Sequence, residues 1–353
     1  MTTNPFDADR PPEVPRSGRR QGNRGGRRRG EAVLVPDAEF QSYYGRQVVK
    51  PAPWTHDVPA YIFLGGLAAG SGLIGAGGAA ARYPALRRIG RAGALLSVAV
   101  GGAALARDLG RPKRALNMMR TVKLTSPMSV GSWILTFFGG FAGLAAVTEL
   151  GRMLPEQDSG LAKVLRVADS PASIGSALFA PPLAAYTAVL LADTAAPTWH
   201  ESYRQLPFIF VSSANAAAAG LALVAAPPAE NGPARKLAVV ASAIELTAFE
   251  QMEHSLGELL SEPLRQGHAG RWLRASKVLT LGGALGAALL GRHRVPAAVS
   301  GAALLAGSVC VRFGIFEAGL ASSRDPKYTV QPQKERLEQR RSQDALEHAP
   351  AGP

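Results

Sequence analysis

Trp54-Thr55-His56-Asp57-Val58-Pro59-Ala60-Tyr61-Ile62-Phe63-Leu64-Gly65-Gly66-Leu67-Ala68-Ala69-Gly70 decides how this chain must be read. An ionisable pair, a tyrosine and a glycine cluster open an apolar run, and no charged side chain occurs from residue 58 to residue 81. About 20 helical residues cross the hydrocarbon core of a bilayer, so the run is long enough to span one. Similar stretches recur at residues 89–109, 128–150, 171–192, 206–226, 237–260, 272–291 and 296–318. The expected fold is an all-α membrane protein, a bundle of eight transmembrane helices over residues 51–321. Disordered polar tails are expected at 1–50 and 322–353.

The mean hydropathy of +0.05 conceals these spans by averaging them with the tails, so a windowed reading is the informative one. The 39 Lys and Arg exceed the 26 Asp and Glu by 13. That excess sits in loops and tails, where the cations of a membrane protein report topology, and nucleic acid is not an expected partner. An even number of spans puts both termini on one side, with Arg111, Lys113, Arg114, Arg120 and Lys123. Arg82, Arg87, Arg88, Arg91, Arg152, Lys163 and Arg166 fall on the other. The unequal bias places the termini in the cytoplasm, the first loop opposing.

Residues 1–50 hold Arg19-Arg20 and Arg27-Arg28-Arg29 among Pro and Gly, with too few apolar residues for a core. A twin-arginine export signal needs its apolar segment close behind the pair, and here it is far away. Contact with anionic lipid and plain solvation both suit such a tail. The lone cysteine, Cys310, lies in an apolar run and reads as packing. Gly66/Gly70, Gly139/Gly143 and Gly282/Gly286 are small-xxx-small patterns that let helix backbones approach closely. Pro181-Pro182 in the fourth span removes two backbone donors and predicts a kink there, for packing or for a cavity.

Spans alternate in direction, so residues opening odd spans lie at the same end as residues closing even ones. That rule gathers His56, Asp57, Tyr61, Arg107, Asp108, Lys123, Ser126, Met128, Trp133, His200 and Glu201 at the end that bears the termini. Glu250, Glu253 and His254 join them from the sixth span, and the opposite end offers little beyond Glu149 and loop arginines. Asp57, Tyr61 and Gly65 are spaced by four and share a helix face. They suit a slot for a flat ring that accepts a hydrogen bond; Trp54 and Tyr61 equally suit an interfacial aromatic belt. Glu245 lies about 12 Å into the sixth span, where an ionised carboxylate is costly. It reads either as the deep end of a proton path through Glu250 and Glu253 or as a structural hydrogen-bond partner.

Several chemistries drop out. Only His254 among the histidines falls within a span, so two axial haem ligands are lacking. No cysteine cluster offers an iron–sulfur site, no phosphate-binding loop stands between a strand and a helix, and no nucleophile has a triad. Any redox metal must come from another subunit.

Trp54, the run Pro59-Ala-Tyr61-Ile-Phe-Leu-Gly65-Gly66-Leu-Ala-Ala-Gly70, Asp108-Leu-Gly-Arg-Pro112 and Lys123-Leu-Thr-Ser126-Pro-Met128-Ser-Val-Gly-Ser-Trp133 together resemble the NrfD/PsrC family, known from polysulfide reductase and related molybdoenzyme complexes. The resemblance implies an eight-helix subunit of a bacterial inner membrane that holds no haem or iron–sulfur cluster and binds a quinone, menaquinone or ubiquinone. It also implies a ferredoxin-like iron–sulfur partner and a molybdopterin oxidoreductase catalytic subunit. By motif position Tyr61 faces the quinone headgroup, and Ser126 to Trp133 wall the side toward the cluster protein. In the expected mechanism Tyr61, Asp57 and His56 do the hydrogen-bonding and proton exchange, and Trp54, Gly65, Gly66, Ser126, Met128, Trp133 and His254 shape the site. Glu245, Glu250 and Glu253 form the proton path. The family also has a pocket aromatic near the start of the fourth span, where this chain has Asp169-Ser-Pro171. Relatives often serve partners outside the cytoplasmic membrane, whereas the charge bias here points to a cytoplasmic one. A secondary transporter and a membrane anchor without a quinone site are the competing functions, although the first four spans show no repeat in the last four.

Overall fold

The computed structural model describes residues 47–108, 119–153, 155 and 158–347. The arginine clusters of the N-terminal tail, and Arg111, Lys113 and Arg114, lie outside the described residues. Within them the chain is helical, without strands: α1 Asp57–Ala80, α2 Pro84–Asp108, α3 Pro127–Gly151, α4 Gly160–Ala192, α5 Pro197–Glu201, α6 Leu206–Ala225, α7 Gly232–Arg265, α8 Gly267–Leu290, α9 Arg294–Arg324 and α10 Lys327–Glu347. Seven of these, α1, α2, α3, α4, α6, α8 and α9, are long and apolar enough to cross a membrane. The expected sixth span is the exception, because α7 carries Glu245, Glu250, Glu253, Glu258 and Glu262 along one long helix.

Proline starts several of the helices. It occupies the first turn of α3, α5, α6 and α7, where its missing N–H has no intrahelical partner to lose. Ser126 caps α3 by accepting from the Ser129 N–H at 3.4 Å, and Ser159 caps α4 by accepting from Ala162 at 3.2 Å. α4 continues as one helix through Pro171, Pro181 and Pro182.

Successive helices run antiparallel, as their end-to-end bonds show. Thr55 ahead of α1 donates to Asp108 at the end of α2, Arg87 at the start of α2 reaches Glu149 at the end of α3, and Asn231 before α7 donates to the Gly291 carbonyl after α8. Two four-helix units result, α1 to α4 and α6 to α9, joined where α1 packs on α6 and α9 and where α4 packs on α6. Burial locates the axle: 72% of the apolar window of α1 is buried against 28% for α3. Side chains are nearly absent at the crossings. A Cβ on Gly70 would stand 2.6 Å from the Ala214 carbonyl oxygen of α6, and one on Gly90 would collide with the Gly75 backbone of α1. The pattern at Gly139 and Gly143 makes no comparable crossing, since a Cβ at Gly143 meets open space.

Contrary to the sparse expectation for the far end, a buried ionic network closes it. Arg91 is 3% exposed and donates to Glu149 at 3.0 Å, Asp169 at 2.7 Å, Thr148 at 3.2 Å and Ser173 at 2.8 Å. Arg87 adds bonds of 2.7 and 3.0 Å to Glu149, and Arg152 one of 2.9 Å to Asp169. α2, α3 and α4 are thereby locked together.

The expectation of a disordered C-terminal tail is corrected for its described part. Residues Lys327–Glu347 form α10, anchored by buried Tyr328, by Lys327 to Glu262 at 2.8 Å and by Arg336 to Glu201 at 2.5 Å. The Lys327 ammonium holds the Glu262 carboxyl below its ordinary range, and that carboxylate in turn raises Lys327. The lowered acid stabilises docking above the unfolded carboxylate value, and its contribution disappears as pH falls through the folded value. The raised amine contributes below the unfolded lysine value and fails as pH climbs through the folded one. Acidification past the carboxylate range should therefore loosen α10 first, seen as faster tryptic cleavage near Lys334 and Arg336 with the bundle still folded. Gly70→Leu should cost about 3 kcal/mol or more by overpacking the α1–α6 crossing, whereas Gly143→Leu should leave the thermal midpoint of detergent-solubilised protein nearly unchanged.

Candidate functional site

Tyr61 projects from the second turn of α1 and is 4% exposed. Its hydroxyl is hydrogen-bonded to that of Tyr186, on the last turns of α4. Gly131 of α3 makes room for the second phenol, since a Cβ there would collide with the Tyr186 ring. These two phenols border a cavity of about 150 Å³. Val58, Ile62, Leu105, Leu135, Leu190 and Leu191 give it apolar walls, and its other polar groups come from Asp108, Ser132 and Thr187. Trp54 and Met128 complete the lining.

The start of α1 is fixed from two sides. Thr55 donates through its N–H and its hydroxyl to Asp108 at 3.3 and 2.8 Å, and the Asp57 carboxylate stands 3.9 Å from Arg107. Trp54 lies ahead of the helix and stacks on Trp199 at 6.0 Å. The Trp199 indole donates to the Ile315 carbonyl at 2.7 Å and packs against Gly319, where a Cβ would overlap the ring. The cavity wall thus connects through Trp54 and Trp199 to α9.

The expected site residues separate into three groups. Trp54, Tyr61 and Met128 line the cavity, with Gly65 buried directly behind the Tyr61 ring and Asp57 half-buried at the start of the same helix. Ser126 acts as a helix cap instead, and Trp133 points along a ladder with Phe137, Phe179 and Phe141. His56 is elsewhere too: it stacks on Phe313 and lines a cleft of about 570 Å³ with Glu317, His268 and Tyr328. His254 is exposed on α7, outside the cavity. Gly66 serves an arginine, because its Cβ position is 3.3 Å from Arg312 Nη2.

Glu245, 3% exposed, points into the bundle, where Arg312 and Ser213 are the polar groups acting on it. Glu250 and Glu253 instead bind Lys277 of α8 at 2.9 and 3.1 Å, and Arg265 stands 3.7 Å from Glu253. Steps of five and eight residues turn these carboxylates away from Glu245 around the helix.

Two functional candidates escaped the sequence reading. Tyr186 lies in an alanine-rich stretch deep in the fourth span, at the opposite end from Asp169, where an aromatic was sought. Asp169 belongs to the ionic network. Arg312 is buried in the last span, and the available signal was a lone cation in an apolar run near a carboxylate in need of a partner.

These features define a multi-pass integral membrane protein with an apolar, phenol-headed cavity in its first four-helix unit. The chain belongs to the family described as Polysulphide reductase, NrfD, which it matches over residues 46–236. The match contains the entire cavity lining and ends in the second turn of α7. No curated protein matches the chain. Gly131→Val should force the Tyr186 ring off α3 and cost about 1–3 kcal/mol, measured by thermal unfolding of purified protein, while Gly140→Val, facing open space, should cost under about 0.5 kcal/mol.

Proposed function

We propose that this chain is the quinone-reactive membrane subunit of an oxidoreductase complex. It binds quinone or quinol in the Tyr61–Tyr186 cavity and exchanges electrons with an iron–sulfur protein docked on the same face, which serves a molybdopterin-containing catalytic subunit. The observation that carries this reading is the pair of bonded phenols at the edge of an apolar cavity. The residues fit such a group: apolar walls suit a ring, and the polar groups are few. Bound there, a quinone supplies two-electron chemistry coupled to two protons.

The chain supplies hydrogen bonds and protons. Two phenols carry two hydroxyl hydrogens, and the bond between them uses one, which leaves one to donate to an acceptor in the cavity. Asp108 in the lining and Asp57 at the helix start are carboxylates able to exchange protons with water at that surface. Glu245 is the deep proton-transfer group, with Glu250 and Glu253 on the same helix as its outward carboxylates.

α7 serves as the eighth span in this reading. At about 1.5 Å per residue its 34 residues extend some 50 Å, well beyond the roughly 30 Å of a hydrocarbon core. A core-length segment beginning at Leu237 ends near Gly257, where the backbone leaves helical geometry at φ 67. The acidic end then lies in water on the face that carries α10, and both termini face the cytoplasm across a bacterial inner membrane.

Tyr61→Phe should leave the complex assembled and lower quinone-coupled turnover about tenfold or more; full turnover by purified complex removes Tyr61 from the site. Glu245→Gln should reduce proton uptake per electron pair in reconstituted vesicles, and unaltered uptake excludes Glu245 from proton transfer.

A further inference from the structure

Arg312 and Glu245 are buried charges of opposite sign that act on each other without touching. Arg312 of α9 is 1% exposed, and Glu245 of α7 is 3% exposed. No ion pair within 4.0 Å joins the guanidinium to the carboxylate. Arg312 Nη2 donates to the Phe210 carbonyl at 2.6 Å, and the guanidinium lies 3.9 Å from the centre of the Phe210 ring. Its Nε and Nη1, and Oε2 of Glu245, are buried without a hydrogen-bond partner. Ser242 precedes Glu245 by three residues, on the same face of α7, and its hydroxyl is unpartnered too.

The same chain shows what a directly bonded buried ion pair looks like, with only Arg91 Nε left without a partner. Arg91 meets Glu149 and Asp169 directly at 3.0 and 2.7 Å, with Thr148 and Ser173 completing its bonds. The Arg312 pair is built differently. Arg312 offers two unpartnered donors and Glu245 one unpartnered acceptor, and a buried water typically makes about three hydrogen bonds to such groups. Gly66 adds position: without a side chain there, Arg312 Nη2 comes to rest against α1, five residues along from Tyr61.

We propose that Arg312 fixes the protonation of Glu245 through a bound water, so that the two residues form one proton-holding site between α7 and α9. The proposal rests on the proton-transfer role of Glu245 stated above. Arginine keeps its charge in proteins, and that charge favours the ionised carboxylate against the cost of burial. A proton arriving on Glu245 leaves the guanidinium uncompensated in a low-dielectric interior. Arg312 is therefore a positioning residue: it holds the water and sets the resting charge of Glu245 while Glu245 and the water carry the proton.

Infrared spectroscopy of the purified, reconstituted protein tests this through the C=O stretch of a protonated, buried carboxyl group. The wild-type protein should show no such band from Glu245, so Glu245→Gln alone should remove none. Arg312→Gln should create one, and the double variant Arg312→Gln/Glu245→Gln should lack it. An Arg312→Gln spectrum identical to wild type overturns the proposal, as does a band already lost on Glu245→Gln alone. If Arg312→Gln fails to accumulate, an experimental map of the wild-type protein decides: density for water within hydrogen-bonding distance of Arg312 Nε or Nη1 and of Glu245 Oε2 supports it, and a dry or directly bonded pair overturns it. Unaltered proton uptake by Glu245→Gln would remove the transfer role and the proposal's function with it, leaving the ion-pair geometry to the spectra. A missing infrared band with reduced uptake would remove Arg312 and leave Glu245 in place.

Discussion

Helix α1 is held at backbone distance on opposite sides, and the placement of the chemistry follows from that. Between helices in lipid no hydrophobic gradient drives association, so close van der Waals packing of small residues takes its place. Gly75 against Gly90 brings α2 in, and Gly70 against Ala214 brings α6 in. A helix fixed this tightly cannot rotate, so the few large side chains it carries have defined directions. Tyr61 is aimed at Tyr186 of α4. Gly66, five residues later and about 140° around the axis, faces Arg312 of α9. The phenol pair and the buried arginine therefore lie on different sides of one helix, about 7.5 Å apart along its axis.

Much of this architecture was legible in the chain because lipid imposes simple rules. Apolar length gave the spans, and alternation of direction brought Trp54, Tyr61, Asp108 and Met128, distant in sequence, to one cavity. What stayed hidden depends on side-chain direction within a span. Ser126 looked like a site residue because it sits in the motif before Trp133, yet the motif's serine and proline begin a helix. Gly131, in that same motif, has its reason in the ring of Tyr186, which nothing local to the motif discloses. His56 and His254 lie outside the Tyr61–Tyr186 cavity, since the alternation rule fixes depth and leaves rotation open. α7 was expected to span like the others, and its carboxylates set it apart from the seven apolar helices.

The ionic network at the far end gives its arginines a structural role that a count of loop cations does not disclose. Arg87, Arg91 and Arg152 raise the tally of cations opposite the termini, and that tally argued against cytoplasmic termini. In the folded chain these three bind Glu149 and Asp169 within the protein. The topological bias counts Lys and Arg whatever acids they pair with, so these arginines still weigh against cytoplasmic termini, and their pairing shows instead what they do in the fold: they tie α2, α3 and α4 together.

The contrast between the two buried arginines bears on why a membrane protein keeps charge inside at all. A directly paired cluster such as Arg91 with Glu149, Asp169, Thr148 and Ser173, in which only Arg91 Nε lacks a partner, meets its charges locally and fixes the packing of three helices. Removing any member would strand a charge, so the cluster resists change. An arginine with two nitrogens free beside a carboxylate with one oxygen free gains less from its neighbours and contributes less to rigidity. Structural need alone selects the first arrangement, because each orphaned polar atom in a dry interior carries a desolvation cost of about 1–3 kcal/mol. The second arrangement suits a place where the charge state must alter during function, and here it occurs within reach of the helix that carries Tyr61.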